Sequence, residues 1–460
     1  MLEFAANPLK SRPIQLALRI LGPCLATALF ASSVSLISLI TVHSPDKLRW
    51  NRYGFADLLL NYDAGFLRRA LLGTWIQALA HRGPALPVTN RILFVNFAVL
   101  VSLLTLLALR TKRFKAWNTV LLLAIPGGVF AMSVSHEFFY RKEIFFYPVL
   151  AITALAVSLL PRIGGPAARR LFAFCIIAAI FILGVSLTLI HESFLFLSAP
   201  ANLFLVLAAA RAIESPPNPT KTRAALAARL AAGYSGLMVL TFLALLPVHG
   251  GANASLVIWN SLNPTDRAML GPFNLSAIAW ISHSFVQLIA EPVGVLISGM
   301  AWFWIVPIAG LMLYSLALVA INLNPQAGPE TRHDSFYHWV LCYLTLLACS
   351  LPIFLIARDW GRWIDSVNLS FLILWLSIPP PTLNPLSSAN RTIAAHIRSA
   401  SRAYAEFIQR HQPAAIATML LFAFTFRFPE SILEPSDPRY ILYLGGHALW
   451  TLLHGGLRPH

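Results

Sequence analysis

The feature that most limits what this chain can fold into is the recurrence of long, unbroken apolar runs. They lie near residues 20–42, 92–109, 117–135, 144–160, 171–190, 194–210, 230–248, 296–321, 339–357, 367–379 and 414–427. Each is continuous, without the alternation of a barrel strand, and most approach the ~20 residues a helix needs to cross a bilayer. In hydrocarbon every backbone polar group must be satisfied within the protein, and a helix does that alone. The pattern therefore predicts an all-α, polytopic transmembrane helical bundle of about eleven spans, within a range of about ten to twelve. A twelfth candidate begins at Tyr440, "YILYLGGHALWTLLHG", and is short enough to lie in the interface.

Composition agrees. Of the 460 residues 57% are hydrophobic and 11% charged, against about 25% charged in soluble domains. The reading is one integral membrane domain over residues 1–460. The run from Ile20 to Val42 follows basic residues but is too long for the core of a signal peptide, so it reads as an uncleaved first span. The four cysteines, Cys24, Cys175, Cys342 and Cys349, all lie in apolar runs and form no CxxC pair. They read as buried free thiols.

The net charge is +16. No basic run sits on a polar, foldable segment, so nucleic-acid binding is not expected. In a polytopic chain the excess fits cytoplasmic loops held against anionic lipid. With the N-terminus in the cytoplasm, the inner segments carry more Lys and Arg than the outer ones, clearly so once the long first loop is set aside. Most of the 18 acidic residues then fall on the outer side. Two long outer loops result, about 43–90 and 249–295. The stretches 214–223 and 324–334 read as inner loops. The segment 387–412, polar and basic with apolar residues at helical spacing, reads as an amphipathic helix on the inner leaflet.

Four polar stretches meet on the outer side. The first, "NYDAGFLRRALLG", lies in the first outer loop, whose middle (56–80) predicts one or two interfacial helices. If helix continues through Gly65, Asp57 and Arg68 share a face. If the chain turns at Asp63–Gly65, Asp63 caps a new helix with Arg68 and Arg69 in its first turn, where an anion would be welcome. An N-cap aspartate with two arginines snorkelling to lipid is the plainer account. The second, "SHEFFYRKEIFFYP", places His136, Glu137, Arg141, Lys142 and Glu143 between two spans; a Glu137–Arg141 helical pair would account for part of it. The third, "LIHESFLF", puts His191 and Glu192 at a hairpin tip with no solvated loop around it. The fourth, "ARDWGRWIDS", alternates Arg358, Asp359, Arg362 and Asp365 beside two tryptophans. Together they suit a phosphate-bearing substrate and a reaction that needs a base. No metal-binding spacing, P-loop or GxSxG motif is present, and no cofactor is expected.

This layout resembles the GT-C-type glycosyltransferases, polytopic membrane enzymes that use polyprenyl-phosphate-linked sugars. They place an acidic residue in the first large external loop, which often carries interfacial helices. The matching positions here are Asp46, Asp57 and Asp63. The chain is also similar to the O-antigen polymerases and related bacterial polysaccharide proteins, which use arginines on the outer face. The resemblance covers topology and the first loop and rests on no diagnostic motif. It implies a bacterial inner-membrane enzyme of cell-surface polysaccharide or glycoconjugate assembly, with a polyprenyl-phosphate-linked sugar and membrane lipids as partners. Asp63, then Asp57, would be the base. Arg68, Arg69, Arg141, Lys142 and Arg362 would hold the phosphate. His136, Glu137, Glu143, His191, Glu192, Arg358 and Asp359 would support them. A transporter or flippase of lipid-linked sugars, or a scaffold of a polysaccharide assembly complex, is the alternative. Spans nearly free of ionisable residues favour the enzyme.

Overall fold

The computed structural model describes residues 52–110, 121–122, 125, 139–213, 221–248, 250–282, 293–294, 302–324, 326–355, 360–381 and 391–425. Among them all regular structure is helical. The expected span at 20–42 and most of the one at 117–135 lie outside the described residues, as do Asp46, His136, Glu137, Arg358 and Asp359 and the segment from Tyr440.

Two short helices open the described chain, α1 (Arg52–Leu58) and α2 (Leu71–Leu79), followed by the long α3 (Leu86–Arg110). A 3-10 turn at Lys142–Phe145 leads into α4 (Phe146–Leu159), and α5 (Pro166–Ile190) returns. Gly165, at φ +79°, makes the turn between them, and Pro166 starts α5 where its missing N–H has no helical partner to lose. Next come α6 (Phe194–Leu197), α7 (Ala199–Ile213) and α8 (Lys221–Leu245). Three short helices follow, α9 (Ala252–Ser261), α10 (Pro264–Leu270) and α11 (Ala277–Trp280). The chain ends in α12 (Trp302–Ile321), α13 (Pro329–Phe354), α14 (Trp360–Ser377), α15 (Arg391–Arg410) and α16 (Gln412–Thr425).

Five helical segments are long and apolar enough to cross a membrane: Leu86–Ala108, Lys142–Arg162, Pro166–Ile190, Leu226–Leu245 and Pro329–Phe354. Their outward faces carry large apolar side chains; Leu171, Ile182 and Leu240 are each about two-thirds exposed. Helices apolar all round belong in a core or a bilayer. Hydroxyls on these helices turn back to their own backbone: Thr153, Thr188, Thr241 and Thr345 each donate to the carbonyl four residues earlier. That satisfies the polar group without water. Cys175 and Cys349 lie exposed on these apolar faces, and Cys342 alone of the three described cysteines is buried as expected; Cys24 lies outside the described residues.

Three boundaries differ from the sequence reading. The expected span 194–210 breaks at Ser198 into α6 and α7. The expected loop 324–334 ends at Gly328, because Pro329 and Glu330 are good first-turn residues and start α13 there. Most important, α14 begins at Trp360 and not near 367, so Arg362 and Asp365 stand on a buried helix and not in a turn. The amphipathic helix expected at 387–412 is α15. Tyr404 donates to the Leu313 carbonyl at 2.7 Å and Gln409 to the Ala320 carbonyl at 3.4 Å, tying it to α12.

The helices alternate in direction, so segments far apart in sequence meet at each end of the bundle. At one end Arg110 and Ser158 join the last turns of α3 and α4. The start of α13 meets α15 there through His333 and Glu406, 3.4 Å apart. At the other end lie α1, α2, the Lys142 turn, the α5–α6 junction, α9 to α11 and the start of α14. Asp266 of α10 accepts the Ala85 N–H at 2.9 and 3.1 Å, capping α3 from 181 residues away. A carboxylate suits a helix N-terminus.

Candidate functional site: a buried charge network

α1 ends at Leu58, and the chain turns at Tyr62–Gly65. The Asn61 side chain accepts the Asp63 N–H at 3.0 Å, and Gly65 takes φ +97°. The turn excludes a helix running on through Gly65. It also corrects the capping expectation: α2 starts only at Leu71, with Ala70 before it and no side-chain cap, so Arg68 and Arg69 precede the helix. Asp63 is exposed at the turn. Gly73 then lets α2 lie directly on the preceding strand of chain, since a Cβ there would fall 1.9 Å from the Leu60 carbonyl oxygen.

This path delivers Asp57, Arg68 and Arg69 to the ends of α4, α5 and α14. Arg69 Nε donates to both Glu192 oxygens, at 2.9 and 2.8 Å, and its Nη2 also pairs with Glu192. Arg68 Nη1 stands 3.9 Å from the same carboxylate. Lys142 Nζ lies 3.4 Å from Asp57 and donates to the Arg69 carbonyl at 2.7 Å. Arg362 Nη1 is 3.3 Å from Glu143, and His191 Nε2 is 3.7 Å from Glu143. Arg141 faces the Tyr53 ring at 5.6 Å and acts electrostatically on Asp57 and Glu143. Four segments that looked separate in sequence thus form one network.

The electrostatics follow from burial against pairing. Burial alone would raise Asp57 and Glu192. Lys142 and Arg69 more than offset this for Asp57, and Arg69 and Arg68 do so for Glu192, so both stay below the usual carboxylate range. His191 is drawn down to about 4, by burial first and then by Arg69, against the pull of Glu143 and Glu192. Its ring is therefore neutral near pH 7. Nδ1 accepts the Ser193 N–H at 3.1 Å, which puts the proton on Nε2, toward Glu143.

The two arginines part company. Arg69 is held above its ordinary value, because Glu192 outweighs burial. Arg68 is held below it, because burial outweighs Glu192. Its Nε is buried with no hydrogen-bond partner among the described residues. Arg69 also carries a φ of +66°, a region that L side chains seldom occupy. Its backbone carbonyl and its side chain are both fixed by the network, which holds it there.

Of the residues singled out in the sequence, Asp57, Arg68, Arg69, Arg141, Lys142, Glu143, His191, Glu192 and Arg362 come together, and the exposed Asp63 stands apart from their ion pairs. The sequence reading counted Asp365 in the fourth polar stretch but gave it no role of its own. Among the described residues no group of three or more His, Cys, Asp or Glu side chains is arranged to hold a metal ion. No protein-family model, curated protein or solved structure matches the chain.

Proposed function

We propose that this chain is a membrane glycosyltransferase that takes a sugar from a polyprenyl-phosphate-linked donor at the end of the bundle where the charge network lies, on the outer face of a bacterial inner membrane. The full bundle of about eleven spans, with α1 and α2 in the interface, belongs to this reading. The observation that carries it is the state of Arg68. Its guanidinium stands 3.9 Å from a Glu192 carboxylate that Arg69 already holds in hydrogen bonds, and its Nε is buried with no hydrogen-bond partner among the described residues. A phosphate group would supply the missing negative charge, and a guanidinium fork matches it.

In the reaction a carboxylate takes the proton from the acceptor hydroxyl, whose oxygen attacks the anomeric carbon. The sugar–phosphate bond breaks, and the polyprenyl phosphate leaves with its charge held by Arg68 and its neighbours. Asp63 is the accessible carboxylate of the loop, whereas Asp57 is committed to Lys142. Exposure therefore favours Asp63 as the base and leaves Asp57 to hold Lys142 in place.

The test is turnover of a polyprenyl-phosphate sugar by purified variants. Arg68→Lys keeps charge and reach but loses the fork, and should weaken use of the donor by about 1.5–3 kcal/mol while insertion is unchanged. Asp63→Asn should lower turnover by at least about 100-fold. Full activity in both variants would refute this reading. One observation supports transport of a lipid-linked sugar as a second reading. Arg362 and Asp365 lie buried on α14, so the bundle is less free of ionisable groups than the sequence indicated. Movement of labelled donor across vesicles, with no transfer to acceptor, would decide for it.

A further inference from the structure

Asp365 has no part in the charge network, and its setting is unusual. It is 1% exposed, and neither carboxyl oxygen has a hydrogen-bond partner among the described residues. The neighbouring hydroxyl is not available to it. Ser366 Oγ donates to the Arg362 carbonyl at 2.8 Å and accepts from Tyr147 at 2.6 Å. Among the described residues Tyr147 on α4 and Tyr343 on α13 are the titratable groups on which Asp365 acts, and the Tyr343 hydroxyl is also buried there without a partner. Of the other helices packed on α14, α12 places Ser315 against Asn368 and α6 offers the Leu197 carbonyl to Ser370, while α3 and α7 also pack on it and bring no charge that acts on Asp365 among the described residues. Arg362, one turn before Asp365 on the same helix, directs its guanidinium to Glu143.

A buried carboxylate without a cation or a hydrogen bond is far costlier than the same group as a neutral acid. A cation three residues away on the same helix is close enough to pair after a change of rotamer. If Arg362 leaves, Glu143 still has His191 Nε2 3.7 Å from its Oε1 and the charge of Arg141 acting on it.

We propose that Asp365 is a proton-binding site inside the bundle, loaded in the arrangement seen here, and that on release of the proton Arg362 turns from Glu143 to Asp365. The O–H bond of the acid breaks, the proton passes to a water molecule, and the electron pair stays on the carboxylate that Arg362 then meets. The network end of the bundle and its interior are thereby linked through one side chain, whichever substrate the site takes.

Infrared spectroscopy of the full-length protein in lipid nanodiscs tests this, with wild type, Asp365→Asn, Asp365→Glu and Arg362→Gln. At neutral pH the wild type should show the carbonyl stretch of a protonated carboxyl, sensitive to deuterium exchange. Asp365→Asn should lack it, and Asp365→Glu should show it displaced. Raising the pH should bleach the band, at a higher pH in Arg362→Gln than in wild type. Asparagine matches the neutral acid in shape and charge, so Asp365→Asn should fold with an unchanged melting temperature at neutral pH. A wild-type spectrum without the band, a band that survives in Asp365→Asn, or an Asp365→Asn protein that fails to fold while Asp365→Glu folds, would each overturn the proton site. An unchanged titration in Arg362→Gln would overturn the role given to Arg362.

Discussion

Glu192 is the anion on which both arginines of the first loop converge, and the network's tolerance of change follows from that. Glu192→Gln would leave Arg69, in its left-handed backbone conformation, and Arg68 without their carboxylate. Removing one partner of a buried pair leaves an uncompensated charge, so the expected loss is about 3 kcal/mol, read as a lowered melting temperature. The exposed Asp63 should tolerate Asn within about 0.5 kcal/mol of stability, which separates any effect on turnover from an effect on folding. His191 gives the network a pH dependence whose sign is fixed. Its folded-state value, about 4, lies below the ~6.5 of an unfolded histidine, so between the two the unfolded chain binds more protons. Stability should therefore rise from pH 4 to pH 6.5 and be lost on acidification, by on the order of 3 kcal/mol. His191→Asn keeps an acceptor for the Ser193 N–H and should flatten that interval in a melting-temperature profile; a profile as steep as wild type would assign the acid loss to other groups.

At the scale of elements, legibility followed how local the determining physics was. The continuous apolar runs made α3, α4, α5, α8 and α13 readable, because a helix in hydrocarbon needs nothing beyond its own backbone bonds. α15 was readable because its apolar residues recur at helical spacing. The start of α14 was not. "ARDWGRWID" carries charges that look solvated in one dimension, and burial of Arg362 is offset by Glu143, which arrives from the turn before α4. The same is true of the first loop. Its polar residues were found, but the capping role given to Asp63 went to no side chain, since Asn61 controls the turn and α2 begins six residues after Gly65. Gly73, unremarked in the sequence, is what allows α2 to close on Leu60 and hold Arg68 and Arg69 at the network. A methyl group there meets backbone, which has no rotamer to yield. Gly73→Ala should destabilise by about 3 kcal/mol and, if the chain still folds, displace the two arginines and reduce donor use. Unchanged thermal unfolding would show that the loop can shift without loss.

For the whole molecule, the decisive asymmetry is between its two ends. Arg110, Arg162, Arg169, Arg170 and Arg211 mark the ends of α3, α4 and α7 and the start of α5, and α15 with its further arginines packs on the same end. Carboxylates are few there among the described residues: Asp334 lies 4.0 Å from the exposed Arg398, and Glu406 accepts from the exposed Arg402 at 3.0 Å. The opposite end holds the mixed, buried network and the short helices α1, α2 and α9 to α11. Basic residues near span ends are retained on the cytoplasmic side, and a loop rich in both signs is under no such constraint. Applied to this chain, that rule supports the proposed outward orientation of the network, where a lipid-linked sugar would meet it. Single cysteines placed at Asp63 and at Gln326 in a cysteine-free background test this with a thiol reagent that does not cross membranes. Both positions are exposed and lie at opposite ends. The cysteine at 63 should react in intact cells, and the one at 326 only after permeabilisation. The reverse pattern would place the network in the cytoplasm, where an underpaired Arg68 facing anionic lipid has a sufficient explanation in anchoring, and the proposed chemistry on the outer face would fall with it.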